Sequence, residues 1–412
     1  MDRMTERAVM AVARGGSWKP EKPCAVHVGV CTYRLPYQEV FMKKIGKEVL
    51  FLSTGEKNPR NGEGSLLRLK DGRILYAYTQ YYGDSWQDHA TARVAACYSS
   101  DEGETWYDGG ILIEKDPDAL NIMSVSLMRM QNGDLGLLYL RKSMKGDDLL
   151  CMPYLVRSAD EGKTFGEPVP CMTEDGYYVV NNDRLIRLKN GRLLIPAAYH
   201  GKSGNRGLLP GSLRVCCSDD DGQSWTMSPE AVYSPFREDP TQLQEPGLYE
   251  LPDGRVWMWC RTAYGHQYQC FSADGGETWG PVTPCLCFTS PDSPMQIREA
   301  GAYTVAVFNP LSYTCLHPNA EGWGSPKRTP YVCAVSRDGG LSFVEASKGG
   351  GGFHAFTASC YLLEDDQSES YCYPAILEVT DGFLVAYYHS NGTGICLNSA
   401  KITKVRYDEL LG

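Results

Sequence analysis

The sequence predicts an all-β fold: a six-bladed β-propeller of four-stranded antiparallel blades. Three observations predict it. An eight-residue pattern, Ser-x-Asp-x-Gly-x-Thr/Ser-Trp/Phe, occurs five times, with its Asp at 101, 160, 220, 274 and 338. A period of roughly 60 residues is that of a supersecondary unit repeated along the chain. A second pattern places Asp-Gly or Asn-Gly between two apolar runs, the strongest short-range signal of a β-hairpin. It recurs at Asp71-Gly72, Asn132-Gly133, Asn190-Gly191, Asp253-Gly254 and Asp381-Gly382, with Ala300-Gly301 as a degenerate copy. Thirdly, each hairpin is followed by one more strand-like run, then the box, then another run, which makes four short strands per unit and six units. Four-stranded sheets arranged radially leave only short, protected edges.

The elements follow in order. The hairpins span residues 66–77, 127–138, 185–197, 248–259, 295–308 and 376–387. The runs leading into the boxes are 94–98, 154–157, 213–217, 268–271 and 332–335. Within a box the Asp accepts hydrogen bonds from the turn, the Gly takes a positive φ, and the Trp or Phe packs between blades. The boxes are therefore read as structural. The sixth unit lacks a box; its last strands are expected at 394–397 and 402–407, and Lys47–Leu52 is expected to close the ring. Residues 1–36 read as an irregular leader, 37–412 as a single propeller domain, and 349–352 as a flexible loop.

A formal net charge of −10 argues against nucleic acid, which needs an extended basic surface. It leaves an anionic small substrate open, because a few arginines in a cleft outweigh the global charge locally. Sixteen cysteines are scattered through strand-like runs such as 93–99 and 214–218, with no Cys-x-x-Cys pair. They read as small core residues of a reduced protein rather than zinc ligands. No apolar run is long enough to span a membrane. The apolar stretch at 8–13 is too short for a secretory leader. A cytoplasmic location is expected, or an extracellular or periplasmic one if the native start lies further upstream.

Five such boxes with six hairpins resemble the sialidase superfamily, over roughly residues 47–408. The resemblance implies chemistry at an anomeric carbon that bears a carboxylate. Three arginines hold the carboxylate, an Asp serves as acid and base, and a Tyr activated by a Glu is the nucleophile. Guanidinium matches carboxylate geometry bidentately. A neutral phenol avoids the repulsion that a carboxylate nucleophile would meet, provided that a base takes its proton.

The resemblance carries over by position. Glu245 lies nine residues before Gly254 and Arg261 seven after it, the places of the family's Glu and one Arg. Tyr373, nine residues before Gly382, takes the place of the nucleophile, with Tyr371 two residues away. Arg328, in Pro326-Lys327-Arg328-Thr329-Pro330, takes that of a further arginine. Asp88 in the loop 81–90 takes that of the acid/base, with Asp84 as competitor; partial burial is expected to raise its pKa.

The departure is the first arginine. The family's Arg-Ile-Pro would begin ten residues before the first hairpin glycine, and Gly62 stands there. Arg60, two residues away, or Arg184 at the third inner strand are the candidates to supply the charge, and Glu63 is expected to change it. Asn121, Asn182, His200, His266 and Gln267 are weaker candidates for the funnel. The expected function is a retaining exo-glycosidase removing a terminal acidic sugar, sialic acid or a related keto acid. It needs no metal or organic cofactor, and its partner is a glycan or sialoside, with no nucleic acid and no membrane span. A glycosidase for another or neutral sugar, and a non-catalytic glycan-binding propeller, are the alternatives. Oligomeric state stays open.

Overall fold

The computed structural model describes residues 42–202, 210–236, 242–311, 328–343, 360–390 and 397–410. The leader at 1–36 and the loop at 349–352 lie outside them. The described strands form six antiparallel sheets, the six blades of a β-propeller. The inner strands begin at the positions that the hairpins set. They are Arg60–Arg68, Ala119–Arg129, the split pair Tyr178–Val179 and Ile186–Arg187, Gln244–Glu250, Gln296–Ala300 and Tyr371–Val379. Each turns through its hairpin glycine into a second strand; in blade one that strand is Ile74–Tyr81 and in blade four Val256–Arg261. In the first five blades a third strand then runs into the box, and in all six a fourth lies at the outer edge.

The sixth blade differs from the sequence expectation. Its third strand is a single run, Ser399–Arg406, and its fourth is the early strand Lys47–Leu52, which pairs antiparallel with it. This pairing closes the ring with the first described strand and hides an edge that would otherwise be free. Residues 394–396, expected to form a strand there, lie outside the described residues.

The apolar faces of the strands meet between blades. Leu75 and Ala96 of blade one pack with Leu127, Leu137 and Val156 of blade two, all under 8% exposed. Trp257 and Phe288 of blade four pack with Phe308 and Val332 of blade five. Ala375 and Leu384 of blade six return to Tyr76 and Cys97 of blade one. At about 1.5–3 kcal/mol for each large apolar side chain taken from water, these interfaces hold the ring together. Ten of the twelve described cysteines are buried, as small apolar residues of this core.

The boxes are turns locked by their own side chains. Asp101 accepts from the Ser99 hydroxyl (2.8 Å), the Thr105 amide (2.9 Å) and the Thr105 hydroxyl (2.5 Å). Glu102 and Gly103 both have positive φ, 58° and 80°. The Trp or Phe then enters an interblade core: Trp225 that of blades two and three, Phe343 that of blades four and five. No helix among the described residues is long and apolar enough to cross a membrane.

Candidate functional site

One backbone device builds the site. The residue nine before the hairpin glycine has positive φ in five blades: Glu63 (49°), Ser124 (57°), Glu245 (43°), Asp292 (59°) and Tyr373 (59°). In blade three the residue eight before the glycine, Asp183, does so (57°). Strand register slips at four of these places, between Gly62 and Ser65, Met123 and Ser126, Gln244 and Gly247, and Cys372 and Ala375. These are β-bulges, which re-aim a side chain that strict alternation would send elsewhere. Non-glycine residues with positive φ cost of order 1–3 kcal/mol each, and such strain concentrates at functional sites. Four of the bulge residues, Glu63, Ser124, Glu245 and Tyr373, come from four different blades and line one cavity of about 200 Å³.

On one side of the cavity Tyr373 donates its hydroxyl to Glu245 Oε1 at 2.6 Å. Arg261 Nη1 donates to Glu245 Oε2 at 2.8 Å. The other edge of Arg261 meets Asp292, with Nε to Oδ1 at 2.6 Å and Nη2 to Oδ2 at 3.3 Å. Arg328, 6% exposed, lies 5.7 Å from the centroid of the Tyr373 ring. It donates to Cys372 Sγ and to the Asp292 carbonyl, each at 3.0 Å. Burial pushes the Tyr373 phenol well above its ordinary pKa, and Glu245 adds to this against the pull of Arg261 and Arg328. Tyr373 is therefore a neutral phenol with a carboxylate in place to receive its proton.

On the other side Arg60 is the hub. It donates from Nη2 to Glu63 Oε1 (2.8 Å), from Nη1 to Asp88 Oδ1 (2.5 Å) and from Nε to Tyr388 Oη (2.8 Å). Of the two candidates for the missing arginine, Arg60 is the one that reaches the cavity. Arg184 is 1% exposed and sits in the core instead, donating to the Met295 carbonyl at 2.7 Å. Arg184, Arg261 and Arg328 are not among the residues lining this cavity, but Arg261 and Arg328 lie directly behind two that are, Glu245 and Tyr373.

Asp88 also lines the cavity, while Asp84 turns outward to Lys57 at 2.7 Å, its side chain 84% exposed. Asn121 holds the Asp88 loop, donating to the carbonyls of Asp88 and Ala90, both at 2.8 Å. One expectation is overturned here. The Asp88 side chain is 64% exposed rather than buried, and against what desolvation it feels, Arg60 and Lys142 hold the carboxyl below its ordinary value. Among the carboxyls lining the cavity, Glu63, 5% exposed, has its pKa raised, because desolvation exceeds the stabilisation from Arg60 and Ser124.

Asp292, Ser124, Lys142 and Tyr388 were not anticipated from the sequence. Asp292 and Ser124 obey the same nine-residue offset that located Glu245 and Tyr373, so the signal was present. Lys142 and Tyr388 stand on second strands, nine and six residues after their glycines, so a count at the Arg261 offset of seven misses them, although Tyr388 lies opposite Cys372 as Arg261 lies opposite Gln244.

The chain belongs to the BNR repeat-like domain family, whose profile matches residues 115–386. Among solved structures it is similar to a protein of unknown function from Dyadobacter fermentans, with 18% identity, TM-score 0.63, 88% of this chain and 99% of that one covered. It is similar to the leech intramolecular trans-sialidase complexed with 2,7-anhydro-Neu5Ac, at 14% identity and TM-score 0.63, covering 89% of this chain and 71% of that one. The intramolecular trans-sialidase from Ruminococcus gnavus in complex with oseltamivir carboxylate gives 14% identity, TM-score 0.62, 89% and 98% coverage. At these identities the likeness is one of fold. No curated protein sequence matches the chain.

Proposed function

We propose that the protein is a retaining exo-glycosidase that removes a terminal acidic sugar, sialic acid or a related keto acid, from a glycan. The observation that carries this reading is the hydrogen bond from Tyr373 Oη to Glu245 Oε1 at 2.6 Å, with Arg261 and Arg328 beside it. A phenol with a neighbouring base is a nucleophile able to approach an anomeric carbon that carries negative charge. Two guanidinium groups next to that phenol suit the charge.

In this reading Tyr373 attacks the anomeric carbon while its proton passes to Glu245. The bond to the leaving oxygen breaks as Asp88 protonates it. Water, deprotonated by Asp88, then displaces Tyr373, which recovers its proton from Glu245. Two displacements leave the anomeric configuration unchanged. In the empty site Arg60 keeps Asp88 ionised. An anionic substrate entering beside Arg60 offsets that cation and raises the Asp88 pKa, so binding itself prepares the acid. Hydrolysis of a fluorogenic sialoside, lost in Tyr373→Phe, with the first-formed sugar anomer read by NMR, tests this reading. Absence of turnover, or release of the inverted anomer, would sink it.

A second reading has its own observation. Arg60 is engaged by Glu63, Asp88 and Tyr388 together, so it offers less free charge to a substrate carboxylate. That favours a less acidic or neutral sugar. Robust turnover of neutral glycosides with none of sialosides would support it.

A further inference from the structure

We infer that Asp292 is an internal occupant of the arginine pair Arg261 and Arg328, and that it sets the pocket's tolerance for a carboxylated sugar. The inference rests on the acidic-sugar reading above. A guanidinium binds a carboxylate best through two parallel N–H bonds on one edge. The Nε and Nη2 edge of Arg261 already holds both oxygens of Asp292, at 2.6 and 3.3 Å. The same residue's backbone carbonyl accepts from Arg328 Nη2 at 3.0 Å. Asp292 thus stands on both arginines, one through its side chain and one through its backbone.

It is also held there. Its φ is 59°, in the same strained left-handed region as Glu245 (43°) and Tyr373 (59°). The neighbouring Ser293 amide donates to Ser290 Oγ (3.1 Å), and the Ser293 hydroxyl donates to Asn309 Oδ1 (2.7 Å). Gln267 Nε2 donates to the Ser293 carbonyl at 2.6 Å. The Asp292 side chain is nonetheless 23% exposed, so an incoming ligand meets it.

Arg261 alone meets two carboxylates, Glu245 and Asp292, so its charge is already matched before any substrate arrives, while Arg328 meets the Asp292 backbone carbonyl. A sugar carboxylate reaching Arg261 meets a like charge already seated on the fork. Like charges set close together disfavour a partner strongly, a device of specificity rather than of affinity. Asp292 therefore weakens binding of a carboxylated sugar relative to one without that group.

The test compares the 412-residue chain with Asp292→Asn, and with Asp292→Ala as a second variant that leaves Arg261 only Glu245 as a side-chain partner among the described residues. With a fluorogenic sialoside, KM is expected to fall by about tenfold while kcat changes less. A neutral glycoside should show no such gain. By calorimetry, N-acetylneuraminic acid should bind Tyr373→Phe/Asp292→Asn about tenfold more tightly than Tyr373→Phe. An unchanged or raised KM, or equal or weaker binding by calorimetry, overturns the inference and leaves Asp292 as a support for Arg261. If the wild type turns over no sialoside, the functional reading fails on its own, and the calorimetric comparison still decides the role of Asp292.

Discussion

The ring of Tyr388 fills the space that any side chain at residue 62 would need: a Cβ built on Gly62 would lie 2.0 Å from Cε1 of Tyr388. The position at which the resemblance expected an arginine is therefore closed to side chains of any kind. Tyr388 accepts instead from Arg60 Nε at 2.8 Å, and Arg60 takes over the cavity from two residues upstream.

Gly62→Ala should destabilise the protein by about 1–3 kcal/mol, the usual cost of overpacking. The clash is with the body of an aromatic ring, which cannot bend aside as a flexible chain end can. Pairing it with Tyr388→Ala should give a less than additive loss in chemical denaturation. Strict additivity would mean that the two residues do not compete for the space.

Tyr373→Phe should lower kcat by at least about a thousandfold while leaving substrate affinity nearly intact, because only the attacking oxygen is removed. Glu245→Gln should also lower kcat, and it additionally removes the negative charge that Arg261 meets at 2.8 Å. Single-turnover kinetics with calorimetric binding separates the two effects. A Tyr373→Phe protein with normal turnover would remove Tyr373 from the chemistry.

Arg60 and Arg184 should part company on substitution. Arg184→Met leaves the cavity lining untouched and should leave KM unchanged. Arg60→Met should raise KM and also cost stability, about 3–5 kcal/mol before relaxation, because Glu63 would be left buried without its partner. The raised pKa of Glu63 lets it take up a proton and soften that loss at lower pH. Steady-state kinetics and denaturation at pH 5 and 8 distinguish these outcomes; a KM change in Arg184→Met would contradict the assignment.

The boxes should set acid stability. Asp160, Asp220 and Asp274 are held down to about 2, from an ordinary 3.8. For Asp160 the Thr164 hydroxyl is the main cause. For Asp220 and Asp274 partial burial works the other way, and hydroxyl and amide donors outweigh it. A depressed folded-state pKa contributes stability that is complete above the unfolded value and is lost as pH falls from about 4 towards 2. Asp274→Asn should therefore be less stable than the wild type at pH 7, with the gap narrowing through that window. A gap that stays constant from pH 7 to pH 2 would show that the box carboxylates are not the titrating groups.

Much of the molecule was legible because its repeats count residues. The hairpin glycines placed Glu245, Arg261 and Tyr373, and all three meet within hydrogen-bond reach in the folded chain. The same count would have picked out Asp292 and Ser124. What it could not supply was the state of Asp88, because desolvation and the Arg60 charge oppose each other and only their balance in space sets the sign. The sixth blade was legible as a need for closure by Lys47–Leu52, yet its third strand differed in extent from expectation.

By itself the sequence determined the blade: turn residues in the boxes, Asn/Asp-Gly hairpins and alternating apolar runs are local, and neighbours along the chain enforce them. Only the tertiary structure decided which arginine serves the cavity, which loop acid faces it, and why residue 62 has no side chain. Those outcomes depend on contacts across the closed ring, such as Arg60 with Tyr388, 328 residues apart, and Tyr373 with Glu245, 128 apart. Such pairs meet only when six sheets have packed, so no local pattern in the chain encodes the distance between them.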